Sequence, residues 1–73
     1  MSQVAKVIQL VGSSETSWQD AVEVAVREAS KTIRHISGVD VVSMTADVEG
    51  ERVTRWRVTV RIAFAIETER PQA

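Results

Sequence analysis

Thr54-Arg55-Trp56-Arg57-Val58-Thr59-Val60-Arg61-Ile62-Ala63-Phe64-Ala65-Ile66-Glu67 is the stretch that decides the fold. Trp56, Val58, Val60, Ile62, Phe64 and Ile66 share one face of an extended chain. Arg55, Arg57, Thr59, Arg61 and Glu67 share the other, with Ala63 and Ala65 between them. A period of two marks a strand with one buried face. At about 3.3 Å per residue this strand spans about 45 Å. The one helix candidate, Ser17 to His35, covers about 28 Å at about 1.5 Å per residue. One helix is too short to bury the whole apolar face. The surplus predicts a further partner, a second copy of the chain or another molecule.

Upstream of this strand, Glu49-Gly50-Glu51 is a short turn containing glycine, and Val39 to Val48 is a second strand. Val42, Met44, Ala46 and Val48 lie on one of its faces and Ser43, Thr45 and Asp47 on the other. The turn makes these two strands antiparallel neighbours. The helix carries an apolar stripe, Trp18, Ala21, Val22, Ala25, Ala29, Ile33 and Ile36, at spacings of three and four. Small residues in its middle let a sheet approach closely. Val24 points off the stripe and is a candidate subunit contact. Ser17 is a good N-cap, and Asp20 three residues later makes a capping box with Asp in place of Glu. Ser37-Gly38 reads as the helix stop. A first strand covers Val4 to Val11, broken by Gly12-Ser13-Ser14-Glu15-Thr16. The expectation is an α+β fold of order β-α-β-β, a three-stranded antiparallel sheet partly wrapping one helix. Residues 1–73 form a single domain in which 68–73, with Pro71, are a loose tail.

At 73 residues a lone domain is marginal, and disulfides, a metal or oligomerisation are the usual remedies. The chain has no cysteine and one histidine, which excludes disulfides, thiolate metal sites and a multi-histidine zinc site within one chain. Oligomerisation remains, in agreement with the mismatch of lengths. Nine basic and ten acidic side chains give a net charge of −1, against a general nucleic-acid surface. The N-terminus lacks a signal-like apolar stretch, and no run reaches the roughly 20 apolar residues of a membrane span. The expectation is a cytoplasmic protein with no nucleic-acid or membrane partner.

Signals for catalysis are weak. His35 at a helix C-terminus is read as a capping residue rather than an acid or base. Ser13 and Ser14 after Gly12 form a small turn before a helix, without the glycine and lysine spacing of a phosphate loop. Trp18 and Trp56 fall on apolar faces and read as core. Asp47, Glu49 and Glu51 cluster at the hairpin and offer carboxylate oxygens to a hard cation such as calcium, although their spacing is not that of an EF-hand; a solvated acidic turn is the plainer reading. Arg55, Arg57 and Arg61 line the polar face of the last strand. They pair across strands with acids such as Asp47, or they present forks to anionic ligands. No acid, base and nucleophile converge, so the chain is expected not to be an enzyme.

Val11-Gly12-Ser13-Ser14, Lys31-Thr32-Ile33-Arg34-His35, Val39-Asp40-Val41-Val42 and Trp56 to Phe64, in this order and spacing, resemble the dodecin family over about Val4 to Ile66. The resemblance implies a β-α-β-β protomer assembled as a hollow homododecamer. It also implies a ligand-binding and storage role rather than catalysis, with flavins such as FMN or riboflavin held in pairs at two-fold axes between subunits. Flavin-binding members carry a tryptophan after the helix that stacks on the flavin, and a glutamine in the last strand that hydrogen-bonds its polar edge. Those positions are Gly38 and Arg57 here. Glycine has no π face, and arginine donates but does not accept. With the helix start Thr16-Ser17-Trp18, these departures resemble the branch without flavin, which includes a calcium-binding form. The resemblance therefore implies a small-ligand protein with an altered flavin pocket at Gly38 and Arg57. The alternatives are a calcium-binding or purely structural dodecamer.

Overall fold

The computed structural model describes residues 4–66. β1 (Ala5–Ser14), α1 (Trp18–Ser30), β2 (Ile36–Glu49) and β3 (Arg52–Ala65) follow in the expected order. All pairings are antiparallel, and the spatial order β1-β3-β2 puts the alternating strand in the centre. The place of β3 follows from its sequence. Val58, Val60 and Ile62 are fully buried under the helix, at about 1.5–3 kcal/mol for each side chain removed from water. Ala21, Ala25 and Ala29 of α1 complete the core, with Ile8, Leu10, Val22, Val26, Ile33 and Ile36 packed around it.

Close approach of helix and sheet depends on Gly12. A Cβ there would lie 2.5 Å from the Ala21 carbonyl oxygen and 3.0 Å from the Ala25 Cβ. The glycine expected to break the first strand is thus a strand residue, paired with Val58, and β1 runs on to Ser14. The N-cap is where the sequence puts it, the Asp20 amide donating to Ser17 Oγ at 3.0 Å. The expected reciprocal bond from Asp20 is replaced by a relay. Ser14 Oγ donates to Asp20 Oδ2 at 2.7 Å and accepts from the Thr16 and Ser17 amides at 2.8 and 3.4 Å.

The helix stops at Ser30, not His35. Ser30 Oγ bonds back to the Val26 carbonyl at 2.8 Å, and the Lys31 amide turns to the Glu28 carbonyl at 3.2 Å. β-branched Thr32 and Ile33 follow, both poor helix continuers. Ile33 and Ile36 are part-buried as the stripe requires, but from a turn and a strand rather than from helix. The left-handed residue is His35, at φ 64°, and its carbonyl accepts from the Ala65 amide at 3.2 Å. His35 therefore does not sit at the helix terminus, and Gly38 is a β2 residue rather than a helix stop. Gly50 at φ 67° makes the hairpin turn, where glycine carries no Cβ penalty. Glu67 and the tail 68–73 lie outside the described residues. Among the described residues no helix is long and apolar enough to cross a membrane.

Candidate functional site

Thirteen helical residues cover about 20 Å, against about 46 Å for the fourteen residues of β2 or of β3. The helix covers the middle of β1 and β3 and leaves β2 largely bare. Val39, Val41 and Met44 are in register with the buried Ile62, Val60 and Val58, so they continue the core face sideways. They remain 41%, 40% and 53% exposed. Trp18 ties the helix start to this strand, its Nε1 donating to the Thr45 carbonyl at 3.0 Å. Its ring is 40% exposed and is not the core residue expected, while Trp56 is half-buried. Val24 is also half-buried.

The opposite sheet face carries the charges. Arg57 and Asp47 form a two-pronged ion pair, Nη1 to Oδ1 at 3.1 Å and Nη2 to Oδ2 at 2.8 Å. Asp47 stands opposite Arg55 in register and reaches Arg57 diagonally across the strand pair. The Arg57 hydrogen bond holds Asp47 below its ordinary carboxylate value, and the same bond holds Arg57 above its own. Arg55 turns to Glu15 at 3.7 Å, and Arg61 Nε donates to Gln9 Oε1 at 3.5 Å while facing Asp40 in register. Cross-strand pairing is thus the observed state of Arg57.

Gly38 is paired with Ala63 on this charged face, and a Cβ built on it meets nothing within 4 Å. Its backbone φ is not in the left-handed region, so nothing in the chain requires glycine there. Ala63 lies six residues along β3 from Arg57, which separates the two positions by about 20 Å. One chain does not bring Gly38 and Arg57 together. The three hairpin acids are also dispersed. Asp47 is held by Arg57, Glu49 pairs in register with Arg52 beyond a bulge, and Glu51 sits in the turn. Among the described residues no three potential metal ligands gather, and no pocket is enclosed. Sequence reasoning missed the Ser14–Asp20 relay and the Trp18–Thr45 bond. The first was legible in part from the serines before the cap; the second joins residues 27 apart and leaves no local signal.

The family model for dodecin matches residues 4–67. The chain belongs to the dodecin family. A dodecin from Thermus thermophilus is 30% identical over 67 residues, covering 92% of this chain and 97% of the relative. The calcium dodecin of Mycobacterium tuberculosis is 28% identical over 69 residues, covering 94% and 97%. Among solved structures, the dodecin of Streptomyces coelicolor superposes with a TM-score of 0.85 at 28% identity, covering 92% of this chain and 96% of that one. The structure of the calcium-chelating calcium dodecin from Mycobacterium tuberculosis, which has a calcium-binding site, superposes at 0.75 with 27% identity, covering 94% and 99%. Overall identity does not separate the two kinds of dodecin. Gly38, Asp47 and Arg57 lie with Asp40, Arg55 and Arg61 on the sheet face away from the helix.

Proposed function

We propose that this dodecin is a non-enzymatic small-ligand-binding and storage protein. It works as a homododecamer whose sites lie at the joints between subunits. The observation that carries the reading is the separation of Gly38 and Arg57, about 20 Å apart on one sheet face. The flat ring of a flavin is shorter than that gap even after the reach of the arginine side chain, which favours a site that draws on more than one copy. The bare apolar edge of Val39, Val41 and Met44 supplies the drive to assemble. The nominal ligand is riboflavin or FMN, held weakly. Loss of one aromatic stack removes about 1–3 kcal/mol by analogy with base stacking, or about a five- to 150-fold loss of affinity. Light scattering should give a particle of about twelve protomers, by the family resemblance, and a monomer or dimer would reject the assembly. Titration of the protein into riboflavin should quench its fluorescence weakly; no quenching at high protein concentration would reject the flavin reading.

A second reading is a calcium-binding dodecamer. It draws on the likeness to the Mycobacterium tuberculosis calcium dodecin and on the helix start Thr16-Ser17-Trp18. Its ligands would be Asp47, Glu49 or Glu51, gathered from several copies, since one chain disperses them. Calorimetry with calcium, and thermal unfolding with and without a chelator, decide it. Blank results in both would leave the structural shell.

A further inference from the structure

We infer that Gln9, Arg61 and Asp40 form the hydrogen-bonding edge of the ligand site, taking a planar, uncharged heterocycle with both N–H donors and carbonyl acceptors along one side. This rests on the reading of Gly38 as a ligand contact. The three residues stand in one row across the sheet, Gln9 on β1 and Asp40 on β2 each opposite Arg61 on β3. The next row on the same face is Val7, Ala63 and Gly38. The two rows lie about 7 Å apart. Gly38 adds no side chain to its row, and a Cβ built there meets nothing within 4 Å. A flat fused ring resting on Val7, Ala63 and Gly38 is longer than the gap between rows, so one of its sides reaches the polar row.

The polar row has unused hydrogen-bonding capacity of both kinds. Arg61 spends one donor, Nε on Gln9 Oε1 at 3.5 Å, and its Nη groups make no bond among the described residues. The Asp40 carboxylate faces Arg61 in register and makes no hydrogen bond or ion pair among them. All three residues are exposed. Arg61 offers donors only, Asp40 acceptors only, and the Gln9 amide nitrogen further donors. The charges of Arg61 and Asp40 cancel, which suits a neutral ligand. The pyrimidine-dione side of a flavin carries one N–H between two carbonyl groups. Asp40 matches the N–H, and Arg61 and Gln9 match the carbonyls. Arg57 does not meet this need, because it has no acceptor for the N–H. Within the copy whose Gly38 holds the ring, it also stands about 20 Å away. The polar edge is thus re-aimed from position 57 to the row of Arg61.

Riboflavin and 3-methylriboflavin share one ring system and differ at that N–H, so together they read the edge. The assembled wild-type protein should bind riboflavin about two- to tenfold more tightly, as one hydrogen bond contributes. Asp40→Ala should abolish the difference by weakening riboflavin, and Asp40→Asn, which keeps an acceptor, should restore it in part. Arg61→Ala should weaken both flavins about two- to tenfold. Asp47→Ala, at the far end of the face, should leave the difference intact. Light scattering on each variant establishes that the assembly is unchanged; where an alanine variant does not assemble, Asp40→Ser or Arg61→Gln takes its place. The inference is overturned by a difference that survives Asp40→Ala, by one abolished because the methylated flavin binds more tightly, by one lost in Asp47→Ala, or by affinities that Arg61→Ala leaves unmoved. If wild type binds neither flavin, the flavin reading falls separately. Lumazine, a smaller ring with the same dione edge, then decides the inference. A change in its fluorescence with wild type that Asp40→Ala and Arg61→Ala both reduce upholds it, and equal or absent changes overturn it.

Discussion

Replacing Gly38 by tryptophan tests the proposed function at the position where this chain departs furthest from a flavin site. The protomer should accept the change without strain. The Cβ meets no heavy atom within 4 Å, and the backbone lies outside the left-handed region. The side chain emerges on the sheet face away from the helix, so the core of Val58, Val60 and Ile62 is untouched. A restored ring should therefore act on ligand binding rather than on folding. One aromatic stack contributes about 1–3 kcal/mol. The flavin dissociation constant should fall about five- to 150-fold. The assay is quenching of riboflavin fluorescence by the wild-type protein and by Gly38→Trp at equal protomer concentration, with light scattering on both to establish that the assembly is the same. Arg57→Gln in the Gly38→Trp background adds an acceptor for the polar edge of the ring and should improve binding further. An assembled Gly38→Trp protein with unchanged flavin affinity would refute the reasoning, because it would mean that position 38 does not face the ligand.

Three further outcomes follow from the geometry. Gly12→Ala forces a Cβ to 2.5 Å from the Ala21 carbonyl, and the overpacking of about 1–3 kcal/mol outweighs the gain of about 0.4–1 kcal/mol from a stiffer unfolded chain. The midpoint should drop by several degrees, at about 4–8 °C per kcal/mol, when scanned at fixed protomer concentration; an unchanged midpoint would mean that the helix lifts freely. Trp18→Phe removes the bond to the Thr45 carbonyl and should lower stability by about 0.5–1.5 kcal/mol in denaturant unfolding, toward the lower end because water can reach that carbonyl. Asp47 has a folded-state value lowered from 3.8, so its contribution is complete above that pH and is lost as pH falls through the lower folded value. The stability difference between wild type and Asp47→Asn should hold constant from neutral pH down to about 4 and shrink below it; a difference that instead grows on acidification would contradict the pairing with Arg57.

The parts of the fold that were legible in the sequence are those governed by one period at a time. The alternation from Trp56 to Phe64 placed β3 with its buried face, and Ser17 with Asp20 placed the helix start, because both signals are local and redundant. The helix end was not legible. Ile33 and Ile36 continue the helical spacing from Ala29, and they are indeed part-buried, yet the chain delivers them from a turn and a strand. Burial makes the stripe; it does not by itself make a helix. Gly12 misled for a related reason. Gly-Ser-Ser carries the composition of a turn, but this glycine answers to the passage of Ala21 and Ala25 over the sheet, a contact made across the fold.

The site was legible as residues and not as an arrangement. Arginines on one face of a strand and acids at a nearby turn raised two separate ideas, an anion site and a cation site. The register joins them, since Asp47 stands diagonal to Arg57 and each neutralises the other. An anion at Arg57 or a cation at Asp47 therefore meets a group that already has an opposite charge bonded to it. The mismatch between a short helix and a long sheet points the same way. Val39, Val41 and Met44 extend the core face beyond the helix. Whatever covers them brings new neighbours to the edge of β2, the strand that carries both Gly38 and Asp47. Assembly and ligand binding therefore share one strand. A substitution that weakens the apolar edge, such as Met44→Lys, should reduce particle size and flavin quenching together, whereas Gly38→Trp should change quenching alone. Separate responses to Met44→Lys, with quenching kept by dissociated protomers, would place the ligand within one chain and end the case for sites at the joints.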